Sequence, residues 1–142
     1  VKSSTQVFKE ISASQTLPIR HKVMWPNKPL AYVELANDKN GKHFGLFVNE
    51  EITSIVSLFT ENNEAQFRKF ATLIEHQGFG YGTILLNKVI NLIEEEKIAR
   101  LWCNARVEKA KFYERFGLKL TDKKFNKDGI DYVIMERIFT YN

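Results

Sequence analysis

One cysteine, Cys103, stands in a chain of 142 residues. A lone thiol has no partner within the chain, so a small secreted fold stapled by disulfides is excluded. Histidine is nearly as scarce: His21, His43 and His76 are scattered and give no metal-ligand spacing with one another or with Cys103, so no metal is expected. No apolar run approaches the ~20 residues that a membrane helix requires. The opening VKSSTQVFKE is polar and lacks the apolar centre of a signal peptide. A cytoplasmic protein with no membrane partner is the expectation. With three prolines and seven glycines, no linker, repeat or low-complexity tract is visible, which predicts one domain over residues 1–142.

What is present is an ordinary globular composition. Hydrophobic residues make up 44% and charged residues 27%, enough for a core in a chain of this size. Lys and Arg number 21 against 17 Asp and Glu, a net +4; such an excess suits an anionic ligand without specifying one.

QVFKEI (6–11) reads as a short strand, and SASQTLPIRHKV (12–23) as a helix with serines at its start and Pro26 and Pro29 beyond its end. HFGLFV (43–48) and ITSIVSLF (52–59) form a hairpin, and QFRKFATL (66–73) follows as a third strand after the turn ENNEA. Its alternation breaks at Arg68 and Lys69, as a β-bulge would make it. Leu86, Val89, Ile90 and Ile93 fall at i, i+3, i+4 and i+7, one face of a helix. ARLWCN (99–104) is a strand, VEKAKFYERFG (107–117) a short helix closed by Gly117, and the remainder a hairpin turning at 126–129. The order β-α-β-β-β-α-β-α-β-β predicts an α/β (α+β) sheet of six to seven mostly antiparallel strands flanked by helices. The last strand is apolar on both faces from Tyr132 to Met135, which could mark a homodimer contact.

Between the third strand and the long helix lies EHQGFGYGT (75–83). Glycine lets a ligand approach the main chain, and a helix start offers unpaired N–H groups and partial positive charge, so this is a candidate phosphate seat. A dinucleotide fingerprint would need glycine where Thr83 stands, and a Walker loop would need Gly-Lys-Ser/Thr, which is absent. Gln/Arg-x-x-Gly-x-Gly/Ala is matched in full by Gln77, Gly80 and Gly82.

On FATLIEHQGFGYG and NARVEKAKFYERFGL the chain resembles the GNAT superfamily of N-acetyltransferases, with motif support over residues 66 to 118. The resemblance implies acetyl-CoA as cosubstrate. Its pantetheine arm would pair with the backbone of Phe70, Ala71 and Thr72, and its pyrophosphate with the loop of Gln77, Gly78, Phe79, Gly80, Tyr81 and Gly82. The bulged strand would splay the sheet to admit the thioester. Tyr113 aligns with the tyrosine that the family often places near the sulfur. Arg106 stands where the family has a cofactor-contacting asparagine, with Asn104 two residues earlier as a substitute, and Lys109 where a small alanine is usual.

The implied chemistry is direct attack by a primary amine on the thioester in a ternary complex. A tyrosine hydroxyl stays protonated at neutral pH and can donate to the leaving thiolate, while a backbone N–H can stabilise the oxyanion. Glu34, Asp38, Glu64, Glu75 or a water chain could serve as base. The amine acceptor is not identified by the sequence. Two other readings compete: a non-catalytic acyl-CoA sensor on the same fold, and, less favoured because it leaves the glycines unexplained, a small basic nucleic-acid-binding domain.

Overall fold

A computed structural model describes residues 5–141; positions 1–4 and 142 of the expected domain lie outside the described residues. Seven strands form one sheet in the order β1-β2-β3-β4-β5-β7-β6. They are β1 Gln6–Ile11, β2 Lys42–Val48, β3 Glu51–Glu61, β4 Glu64–Thr72, β5 Arg100–Arg106, β6 Lys119–Lys127 and β7 Ile130–Ile138. Three helices accompany them: α1 Ala13–Met24, α2 Tyr81–Glu95 and α3 Ala110–Glu114. The expected order of strands and helices is the observed one, with short 3-10 turns added in the connections.

Three two-residue turns build the hairpins. Asn49-Glu50, Asn62-Asn63 and Asp128-Gly129 all have positive φ at both positions, the left-handed pair whose twist matches antiparallel strands. Helix α1 starts on a reciprocal capping box between Ser12 and Gln15. Helix α2 ends in a Schellman motif, with Ile98 N–H donating to Ile93 O, Lys97 N–H to Glu94 O, and Lys97 at φ 57.

The sheet separates two apolar layers. Leu85, Leu86, Val89, Ile90 and Ile93 of α2 are buried against Phe44, Leu46, Val56, Leu58 and Phe67 of the sheet. A smaller cluster of Ile11, Ile19, Ile55 and Ala71 lies beneath α1 on the opposite face. Each such aliphatic side chain removed from water contributes about 1.5–3 kcal/mol before the cost of ordering it. Strand β7 runs inside the sheet, paired with β5 on one edge and β6 on the other; Val133 and Met135 enter the core, while Tyr132 and Ile134 on its other face are half-buried.

All neighbouring strands are antiparallel except β4 and β5, whose parallel pairing covers only Glu64↔Arg100, Ala65↔Leu101 and Gln66↔Trp102. Beyond Gln66 the two strands have no paired residues, and the sheet opens into a V. The bulge expected from the broken alternation lies just past that point. Between the pairs Ser57↔Arg68 and Ile55↔Ala71, β3 supplies one residue and β4 two, with Lys69 in a left-handed conformation, φ 56. An extra residue on one strand bends it and breaks its ladder, which turns β4 away from β5.

Candidate active site

The glycines after β4 divide into two kinds. Gly78 and Gly80 have φ 89 and 82, which side chains adopt only at a cost, and a Cβ on either would meet nothing within 4 Å. Gly82 has no such φ, but a Cβ there would lie 3.1 Å from Phe70 Cζ and 3.3 Å from Thr72 Oγ1. Two glycines therefore shape the loop, and the third lets the start of α2 pack directly on β4. Gln77 reinforces the junction, its side-chain amide donating to Thr72 O at 3.0 Å.

Helix α2 begins at Gly80 with no side-chain cap and no acidic residue in its first turn. Its leading N–H groups have no intrahelical acceptors, and no carboxylate competes for them. Such a helix start suits an anion by geometry and charge. Phe79 is two-thirds exposed and its ring stacks on Tyr81 at 5.7 Å, giving the seat an apolar rim.

The open edge of β4 leads from this seat to the V. Leu73 N–H donates back to Thr53 O on β3. By strand alternation the polar backbone groups of Thr72 face the other way, toward the gap. Phe67 and Phe70 line one wall, and Tyr113 of α3 stands against them with ring centroids 5.6 Å and 6.3 Å away. Burial pushes the Tyr113 hydroxyl well above its ordinary pKa, the neighbouring Cys103 adds to this, and Arg106 opposes it. The phenol therefore remains a proton donor throughout the neutral range. Among the described residues it makes no side-chain hydrogen bond that would hold that proton elsewhere. Cys103 is buried, and desolvation raises its thiol to about 12; it is packing, as a lone buried cysteine usually is.

The opposite face of the sheet carries different chemistry. Asn104 is exposed on β5. Leu101, Cys103 and Ala105 belong to the α2-side core, so alternation turns Asn104, with Trp102 and Arg106, to the α1 side. Phe70 and Tyr113 thus share the α2 side of the sheet, Ala71 faces α1, Thr72 leads toward the Gln77–Gly82 loop, and Asn104 occupies the far side of β5 from Tyr113.

Two of the four carboxylates considered as bases, Asp38 and Glu64, already have partners. Asp38 holds the fully buried Arg20 at 2.8 and 2.9 Å and accepts the Leu35 N–H. Burial alone would raise its pKa, but the hydrogen bonds from Arg20 and Leu35 hold the carboxyl below the ordinary range. Glu64 binds Arg100 at 3.2 Å, at the closed end of the V. Glu34 and Glu75 are exposed. The Arg20 network extends to Ser57 at 2.9 Å, and His43 bonds Ser57 at 2.7 Å. Sequence reading missed it because Arg20 lies 18 positions from Asp38 and 37 from Ser57, and Ser57 lies 14 from His43.

The chain matches the acetyltransferase (GNAT) domain family over residues 20–139. It is 27% identical over 137 residues to the uncharacterized N-acetyltransferase YitI of Bacillus subtilis, covering 89% of this chain and 92% of that protein. The ribosomal-protein-S18-alanine N-acetyltransferase of Escherichia coli superposes with a TM-score of 0.78 at 18% identity, over 97% of this chain and 96% of that one. A GNAT family acetyltransferase from Elizabethkingia anophelis with acetyl-CoA bound gives 0.74 at 16% identity, over 94% and 98%. With a family match across most of its length, and a V-shaped gap beside a glycine-led helix start, the chain belongs to the GNAT acetyltransferase family.

Proposed function

We propose that the protein transfers an acetyl group from acetyl-CoA to a primary amine within a ternary complex. The observation that carries this reading is the end of β4–β5 pairing at Gln66, with the uncapped start of α2 following β4 and Tyr113 set against Phe67 and Phe70 of β4. A diphosphate fits the helix start, an extended amide-bearing arm the edge of β4, and a thioester the gap beyond Gln66. The related acetyltransferase with acetyl-CoA bound supports the same assignment.

In this reading the acceptor nitrogen, neutral when it attacks, forms a bond to the thioester carbonyl carbon. A backbone N–H on the open edge of β4 steadies the oxygen as it becomes negative. The C–S bond then breaks, and the sulfur takes the proton of the Tyr113 hydroxyl. The acceptor nitrogen releases its extra proton to water, and the tyrosinate is reprotonated from solvent. Phe67, Phe70 and Phe112 surround the phenol and exclude competing water. The single sheet and the family match over residues 20–139 support reading the chain as one catalytic domain.

Acetyl-CoA at ~100 times its Kd is expected to stabilise the fold by about 2.7 kcal/mol, visible as a rise in Tm that ATP does not reproduce. Tyr113→Phe should then lower kcat by about 100-fold and leave that thermal shift in place. An unchanged kcat would remove Tyr113 from the reaction; no shift with acetyl-CoA would sink the reading as a whole.

A further inference from the structure

We infer that the acceptor is an acidic amine, one whose molecule carries a carboxylate or phosphate, and that Arg68 and Lys69 on the β4 bulge hold that group. The inference rests on the acetyl-transfer reading and names the acceptor class for it.

The α1-side face of the V is where an acceptor can approach a thioester whose carrier occupies the other side. Arg68 is registered with Ser57, and the Ser57 hydroxyl bonds Arg20 beneath α1, so Arg68 belongs to this face. Both Arg68 and Lys69 are half-buried. Among the described residues neither has an ion pair or a side-chain hydrogen bond.

Three carboxylates on this side of the sheet already have partners. Asp38 is taken up by Arg20 and the Leu35 amide, and Glu64 and Glu136 by Arg100. Arg106 alternates onto the same face. Burial lowers the pKa of Lys69, and Arg68, Arg20 and Lys127 lower it further, with only Asp38 opposing. Lys127 lies at the end of β6, beside the acidic Asp128 and Asp131 of the β6–β7 hairpin.

Two partly desolvated cations without counterions are costly to maintain. Each would recover that cost by pairing with an anion, and arginine does so through two parallel hydrogen bonds. The same charges repel a second ammonium, which disfavours polyamine acceptors. They also lower the pKa of the amine being acetylated, which raises the neutral fraction that attacks and lessens the need for a carboxylate base.

The test compares 4-aminobutyrate and 2-aminoethyl phosphate with butylamine and 1,4-diaminobutane as acceptors at saturating acetyl-CoA. The acidic amines should show kcat/KM at least 10-fold higher, through KM. Arg68→Gln and Lys69→Asn together should bring the ratio of acidic to plain amine close to one; asparagine tolerates the left-handed φ at position 69. Arg68→Lys should restore part of the ratio, and an intact acetyl-CoA thermal shift will show that each variant is folded. Butylamine or the diamine serving as well as the acids, or a preference that survives the double change, would overturn the assignment. If nothing is acetylated, the acids should still raise the Tm of the coenzyme A complex in wild type and not in the double variant. That result would keep the anion site and remove the transfer reading, whereas no shift with either acid would remove the anion site.

Discussion

Asp38 sits between two demands. Arg20 is completely buried, and its guanidinium is neutralised by this one carboxylate, which lies at the solvent edge with 12% of its side chain exposed. Removing one partner of a buried pair strands the other charge, so Asp38→Asn is expected to cost about 3 kcal/mol. In a domain of this size that lowers Tm by on the order of 10 °C. The pH dependence has a definite sign. A carboxyl whose folded pKa is depressed contributes stability above its unfolded value, and that contribution disappears as pH falls through the folded value. Wild-type Tm should therefore drop steeply below about pH 4, the ordinary carboxylate range, and the variant's more gently, in a thermal melt series from pH 7 to 2. None of this was legible in the sequence. Asp38 was one acidic residue among several, because the arginine it neutralises is 18 positions away and nothing local marks the pair. Cys103 was legible, since a lone thiol with no neighbouring base is most often packing, and the fold buries it.

At the scale of the element, the helix α2 and the position of the glycine loop before it were legible because both signals are local. Three glycines at alternate positions before a 3.6-residue apolar period need no distant partner to be recognised. Their separate duties were not legible, since Gly78 and Gly80 are fixed by backbone angles while Gly82 is fixed by what lies across the gap. The duties predict different mutants. Gly80→Asn retains a residue that tolerates the left-handed region and should change acetyl-CoA affinity only a few-fold. Gly82→Ala places a methyl 3.1 Å from Phe70 Cζ, pushes the start of α2 off β4, and should weaken acetyl-CoA by 10-fold or more in a calorimetric titration. Equal effects of the two changes would contradict the division of roles. The broken alternation at Arg68 and Lys69 was also a local signal, and the bulge answers it. What periodicity could not report was the charge that the bulge leaves without a partner.

At the scale of the whole molecule, the sheet is two antiparallel blocks joined by three parallel residue pairs. Arg100 clips that junction, bonding Glu136 of β7 at 2.6 Å and Glu64 of β4 at 3.2 Å. Burial would lower its pKa, but those two carboxylates raise it. The pairs are partly exposed, so Arg100→Met is expected to cost about 1 kcal/mol, with faster amide exchange at residues 64–66 and 100–102 than elsewhere in the sheet. Uniform exchange would mean that the clip is dispensable. The doubly apolar β7 was seen in the sequence, but its place was not, because strand order is a long-range property: β7 passes inside β6 to reach β5. That insertion also sets a timetable. The edge of β5 stays bare while the ribosome is still making β6, and it is covered only when residues up to 138 have left the exit tunnel. The side of the sheet that carries β5 is therefore finished last, after every other described strand has been made.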